Sequence, residues 1–395
     1  MPLERLLYSQ PRTSTVSPTW RARSAIRTLP LVWLSVMGAS TYFLSGGGAT
    51  AALAQDPIAH DVSHGWEEAW RIHLSRGIGA SPVWADSVLL VASLDRNLHA
   101  VRPGTPPRVV WDQNRRGGLL VSPLAFDGVL VVAEAGIEGR LVGLRSGTRE
   151  EAWSLELGDL VVSPLAADGR IYAATATGLV VAVTPAGSEA WRTELETGVA
   201  AAPARVGSAL LVAAADGTLF ALDPATGAVR ERIDPGAGPV WGDPALLDPG
   251  HAVYATLEGQ VFAVTGDLEI VARRSFPSRF YAGPVLADGI LILVGHEGTV
   301  WAYAWEAAEI RWRRDLTATL RAAPAVGPRS VAVGDLGGTL YQLDRETGDL
   351  LWHARLDGAI TAAPLARDAD LYVGTEQGTL YAFRPTSPAS PSDRP

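Results

Sequence analysis

Residues 338 to 364 read GTLYQLDRETGDLLWHARLDGAITAAP, and this stretch decides the fold. It contains a short strand opened by glycine (Gly338-Thr-Leu-Tyr-Gln-Leu343), an Asp344-Arg-Glu-Thr-Gly348 turn and a second strand around Trp352. It ends at Pro364, after two small residues. The same order returns along the chain. The proline recurs at Pro82, Pro123, Pro164, Pro203, Pro244, Pro284, Pro324 and Pro364, at intervals of 39 to 41 residues. Trp70, Trp111, Trp191, Trp312 and Trp352 each lie 12 residues before their proline, and Trp153 lies 11 before. An apolar strand follows each proline, as in residues 88–92 and 289–294. A glycine-opened strand follows that one, as in residues 217–222, 298–303 and 378–383.

Each unit therefore offers four short strands in about 40 residues, a period that marks repeat architectures. Side chains alternate across each strand, so Leu380 and Ala382 share one face and Tyr381 and Phe383 the other. A lone four-stranded sheet cannot bury both faces, whereas sheets stacked radially about an axis cover one another. The pattern predicts an all-β, eight-bladed β-propeller of four-stranded antiparallel blades. Proline lacks an N–H and is confined to edge strands, so the proline strand is expected innermost and the Trp strand outermost. A tryptophan strand at 68–74 precedes the first proline, and the strand at 378–384 lacks an outer partner. Pairing these two closes the ring and removes two open edges. Residues 65–384 then form eight units, and the Pro/Ser-rich stretch 385–395 reads as a disordered tail. Where Trp is expected, two units carry Arg230-Glu-Arg232 and Ala272-Arg-Arg274. Those positions read either as ordinary drift among repeats or as an exposed binding edge.

The amino terminus reads as an export signal. Arg21, Arg23 and Arg27 precede an apolar run at 29–44, and Ala52-Leu-Ala54 follows as a cleavage signature. Cleavage after Ala54 would give a periplasmic or secreted product with residues 1–54 as signal peptide; the alternative is an inner-membrane anchor at residues 29–44. The chain carries a formal charge of −9 over 395 residues, and removing the net +4 of residues 1–54 leaves −13. A body that acidic is repelled by phosphate backbones and anionic lipid heads, which argues against nucleic acid and peripheral membrane binding. With no cysteine there is no disulfide, no thiolate metal site, no catalytic thiol and no residue to lipidate as an anchor.

The segments entering the inner strands are mostly small and apolar, and only Asp159 and Asp243 among them are acidic. A calcium site needs six or more oxygens, several from carboxylates. The seven histidines lack the spacing of a metal pair. No nucleophile elbow appears. Asp223 and Asp344 open Asp-x-x-Thr-Gly turns and are expected to accept backbone N–H groups. No catalytic, metal or cofactor-binding residue is assigned, and no cofactor is expected. Arg76, Arg279 and Arg321 form a candidate rim that could grip carboxylates, with Trp241 and Tyr281 as aromatic neighbours.

Taken together, Gly348-x-x-x-Trp352, the small-Pro step and the Gly-Thr-Leu-Tyr-Ala-Phe-type strands resemble the pyrroloquinoline-quinone-type (PQQ-like) propeller repeat. The array is not of the WD40 type, because Trp111-Asp112 is its single Trp-Asp pair. Two branches share the repeat. In quinoprotein dehydrogenases the resemblance implies a quinone and a calcium ion over the axis. In BamB-type propellers of the outer-membrane β-barrel assembly machinery it implies a non-enzymatic scaffold. This chain is similar to the second branch in length and layout, but BamB-type proteins are lipidated on a cysteine that it lacks. Leu320-Arg321 is the nearest counterpart of that branch's Leu/Arg partner loop; it falls in a late unit, and no site residue is carried over. The expectation is a non-catalytic exported scaffold for protein partners in the cell envelope. The alternatives are a PQQ-dependent dehydrogenase and a polysaccharide- or ligand-binding sensor.

Overall fold

The computed structural model describes residues 65–74 and 76–386. The proposed signal peptide and the tail from 387 onward lie outside them. Thirty-two strands form eight separate four-stranded antiparallel sheets, as the repeat period requires. Seven blades are continuous in sequence: blade one spans 83–114, two 124–156, three 165–194, four 204–233, five 245–275, six 285–315 and seven 325–355. Blade eight combines three C-terminal strands from residue 365 onward with the first strand, Trp66–His73. Its closing ladder pairs Glu68 with Phe383, Trp70 with Ala382 and His73 with Thr379. The last strand runs to Pro385, one residue into the stretch read as tail.

The strand assignments within a blade follow the expected order. The strand after each proline is one edge of its sheet, and inner strands of adjoining blades touch, such as Leu124–Phe126 with Leu165–Ala167 and Val285–Ala287 with Ala325–Val326. The missing proline N–H therefore falls where no ladder bond is required. The tryptophan strand is the opposite edge. There the indoles join blade to blade: Trp153, Trp191 and Trp312 each donate Nε1–H to a carbonyl in the next blade's outer turn, on Pro185, Pro224 and Arg345, at 2.8–3.0 Å. Beneath these rings lie Gly187, Gly227 and Gly348, where a Cβ would stand 2.2–2.6 Å from the indole. Glycine is required by that close approach as well as by its positive φ.

The Asp turns behave as read. Asp223 accepts from the N–H groups of Ala225 and Thr226, and Asp344 from those of Glu346 and Thr347. At the two outer strands that lack tryptophan, Glu231 and Ala272 occupy the indole position, opposite Ala221 and Ala263. Arg232 and Arg273 instead lie over Phe220 and Phe262, at 5.7 and 5.9 Å from the ring centroids. Flat guanidinium groups thus cover part of what an indole would cover.

The core lies between blades, as alternating faces of adjoining sheets interdigitate. It is continued inward by the residue four before each proline, from Ile78 through Phe280 to Ile360, each 0 or 1% exposed. Burying each such side chain contributes roughly 1.5–3 kcal/mol. The residue one step later in each segment, just ahead of the inner strand, is partly open to solvent in seven of the eight blades. That position builds the candidate site.

Candidate functional site

Three residues before each proline the chain carries Gly79, Leu120, Val161, Ala200, Trp241, Tyr281, Arg321 and Thr361 in ring order. All except Ala200 are partly open to solvent. Half the ring at this level is glycine or aliphatic, and three consecutive blades present Trp, Tyr and Arg. The structure brings those three together. Trp241 meets Tyr281 edge to face, with centroids 5.6 Å apart at 83°, the arrangement that aromatic quadrupoles favour. The Arg321 guanidinium lies 5.0 Å from the Tyr281 centroid, a cation–π contact. These side chains lie 40 residues apart in sequence and converge because adjacent blades place the same repeat position, in the segment before each inner strand, side by side.

Arg279 stands beside the cluster, two residues before Tyr281, and is exposed. Its Nε donates to Glu297 Oε1 at 2.8 Å, so its fork already holds a carboxylate of its own chain. Partial burial pushes the Glu297 carboxyl up, but hydrogen bonds from Ser278 and from Arg279 outweigh it and hold the group down at about 2. Arg76 is exposed on the connection from blade eight to blade one. The blade-seven-to-eight connection, with Thr361, separates it from Arg321. Of the five candidate residues, then, Trp241, Tyr281 and Arg321 form one contact cluster, Arg279 adjoins it through an internal ion pair, and Arg76 stands apart.

Two residues not singled out from sequence belong to the cluster. The His296 ring lies 4.7 Å from that of Tyr281, and its Nδ1 is 3.0 Å from the Leu320 carbonyl. A carbonyl only accepts, so Nδ1 carries the proton. Glu297 is the other. Both sit in blade six's second-to-third strand turn, which stands beside the segment carrying Tyr281. Superposing the repeats in register would have marked this turn.

The two acids near the hub are used between blades. Asp159 accepts from the Gly136 N–H at 3.0 Å, and Asp243 from the Ala202 N–H at 2.7 Å. Asp243 is reached by solvent yet has protein around it on most sides. This desolvation raises its carboxyl above the usual range, against the Ala202 hydrogen bond. Gly242 and Gly283 let blades five and six meet here backbone to backbone: a Cβ on Gly283 would stand 1.8 Å from the Asp243 carbonyl.

These donors do not fit a calcium–quinone centre. Asp159 and Asp243 each commit an oxygen to a backbone N–H of a neighbouring blade. Among the described residues no three His, Asp or Glu side chains gather as a metal site. Ser93 and His99 do approach one another in blade one, with Oγ and Nε2 3.4 Å apart. Ser93 is 0% exposed, and its single hydroxyl proton already has the Asp95 carboxylate and the Asn97 carbonyl as acceptors within reach. No substrate carbonyl could reach it.

Comparison with known proteins places the architecture. A family model described as "Outer membrane protein assembly factor BamB" matches residues 138–241 and 306–387. BamB from Moraxella catarrhalis is similar in structure, with a TM-score of 0.68 and 19% identity over 81% of this chain and 99% of that one. A europium-containing methanol dehydrogenase gives 0.69 and 12%, over 81% and 93%. Quinohemoprotein alcohol dehydrogenase from Comamonas testosteroni gives 0.66 and 16%, over 84% and 78%. At these identities the solved structures share the fold alone. No curated protein matches in sequence.

Proposed function

We propose, taking the chain as a PQQ-type, BamB-like eight-bladed propeller, that it is a non-catalytic scaffold exported to the cell envelope, where it binds a protein partner. The observation that carries this reading is the Trp241–Tyr281–Arg321 cluster. Aromatic residues and arginine supply most of the binding energy at protein interfaces, and they do so when held rigidly on a defined support. Here three inner-strand connections hold them on adjacent blades. Arg279, with its carboxylate partner Glu297, forms the polar border, while Arg76, on a separate connection, is not needed for this surface. The partner role of these residues rests on this placement. A role in outer-membrane protein assembly is the specific form of the proposal, supported by the BamB family match.

The test is capture from an envelope extract with the immobilised propeller and with a Trp241→Ala/Tyr281→Ala/Arg321→Ala variant. The expected result is recovery of a β-barrel assembly component by the parent and its loss with the variant. Equal recovery by both would remove the cluster from the argument. The dehydrogenase structures motivate one competing reading. Reconstitution with pyrroloquinoline quinone and calcium, followed by dye reduction with alcohols or sugars, would overturn the scaffold proposal if turnover appeared.

A further inference from the structure

The junction between blades seven and eight differs from the others in two ways that meet in one cavity. First, no turn joins the last strand, Thr379–Pro385, to the first, Trp66–His73, because ring closure pairs the two ends of the described chain. In blades three, four and seven that outer turn receives the preceding blade's indole over a glycine. In blade eight the corresponding position, four residues before Trp70, is Trp66. Second, the third strand of blade seven carries Gln342 opposite Trp352. The equivalent position is Ala100, Ala182, Ala221, Ala263, Ala302 and Ala382 in six blades and Gly143 in the other. Gln342 is 1% exposed, and its Oε1 is buried with no hydrogen-bond partner.

A cavity of about 210 Å³ opens at this junction, lined by Gln342, Trp66, Ala332, Leu371, Pro328 and Pro385 among others. Its walls are largely aliphatic and aromatic. Arg329, Ser330, Asp368 and Asp370 also line it; Asp370 is bound by Arg384 at 2.8 Å and Asp368 lies 3.8 Å from Arg367. An unpaired amide oxygen in such a place costs roughly 1–3 kcal/mol, so the position calls for a donor. The terminal amide torsion of glutamine is soft, so rotation can present Oε1 to the cavity, with Nε2 then turned to the side that Oε1 leaves. A charged ligand is disfavoured by desolvation against apolar walls. The volume suits a one- or two-ring body and is too small for a sugar chain or a nucleotide.

We propose that this cavity binds an aromatic group carrying a single hydrogen-bond donor, an indole or a phenol, with the donor directed to Gln342 Oε1. The site is separate from the Trp241 cluster and does not depend on the scaffold proposal. The probe is 5-fluoroindole, titrated into the full exported chain and followed by ¹⁹F line width, with 5-fluoro-1-methylindole as the donorless twin of nearly the same shape. The expected result is saturable binding of the first, about tenfold tighter than the second, the size of one hydrogen bond to a buried acceptor. Gln342→Ala restores the residue most blades already carry and should fold normally. In that variant the two probes should bind equally. The proposal is overturned if 5-fluoroindole does not bind, if the parent does not discriminate between the probes, or if Gln342→Ala keeps the tenfold preference.

Discussion

Replacing Glu134 by alanine should destabilise the propeller more than any other single charge deletion. Glu134 is 1% exposed and lies between Arg115 and Arg140, each under one-tenth exposed. It accepts from Arg115 Nε at 2.7 Å and from Arg140 Nε and Nη2 at 3.1 and 2.9 Å. Arg115 follows the outer strand of blade one and Arg140 opens the third strand of blade two, so the carboxylate ties two blades together. Its removal leaves two buried guanidinium groups to share Glu151, which holds them at 3.3 and 3.4 Å. Breaking a buried ion pair from one side costs about 3–5 kcal/mol. The surviving Glu151 contacts place the expected loss near the lower end, about 3 kcal/mol, because charge compensation is reduced and not abolished. At about 2 °C per kcal/mol for a domain larger than 200 residues, Tm should fall by about 6 °C. The assay is urea unfolding followed by tryptophan fluorescence and circular dichroism, with coincident transitions as the check on two-state behaviour. Replacing Arg115, Glu134 and Arg140 together with apolar residues of similar volume should recover most of the loss, since the parent already bears the desolvation of all three. A Glu134→Ala midpoint within about 1 kcal/mol of the parent, at unchanged m-value, would refute the claim that this network is desolvated and paired as described.

Three further outcomes are expected. Gly283→Ala should cost about 3 kcal/mol or more, or prevent folding, because its Cβ would meet the Asp243 backbone at 1.8 Å; Gly147→Ala, with no atom within 4 Å, should stay within about 0.5 kcal/mol by the same urea assay. Trp312→Phe should cost about 1–1.5 kcal/mol through loss of the bond to Arg345 O, whereas Trp352→Phe should cost less because blade eight has no such turn to receive an indole. Asp243→Asn should raise Tm at neutral pH: burial raises the folded-state pKa above the unfolded value, so the ionised form opposes folding. The parent then gains stability as pH falls through the folded-state pKa, and scanning calorimetry from neutral to acid pH should show the Asn variant's advantage shrinking to nothing below the unfolded-state pKa.

The architecture was legible because its signals are local and repeated. A proline before a short apolar strand, a glycine opening the next and a tryptophan near the end of the unit identify an edge, a turn and an outer face within 40 residues. Eight copies leave few ways to bury both faces of each sheet. Ring closure was legible for the same reason: one orphan strand stood at each end of the repeat array. The candidate cluster was half legible. Trp241 and Tyr281 stood out as aromatics among small neighbours, whereas Arg76, Arg279 and Arg321 were grouped as a rim on charge alone, and only the last of the three touches the aromatic pair. The structure pairs Arg279 internally and leaves Arg76 on another connection. His296 and Glu297 were passed over because they lie on a different turn of the blade.

What the sequence determined by itself was the number of blades, the order of strands within each and the faces that turn inward. Alternation along a strand and the chemistry of proline and glycine act over a few residues and need no partner to be read. Only the tertiary structure decided which side chains meet between blades: Arg321 over Tyr281, Glu134 between two arginines, and Gln342 with its amide oxygen unmatched beside Trp66. Those contacts join residues far apart in sequence or on different strands of neighbouring sheets. They depend on the rotation and spacing of one sheet against the next, which close packing of the whole ring sets and no single repeat encodes.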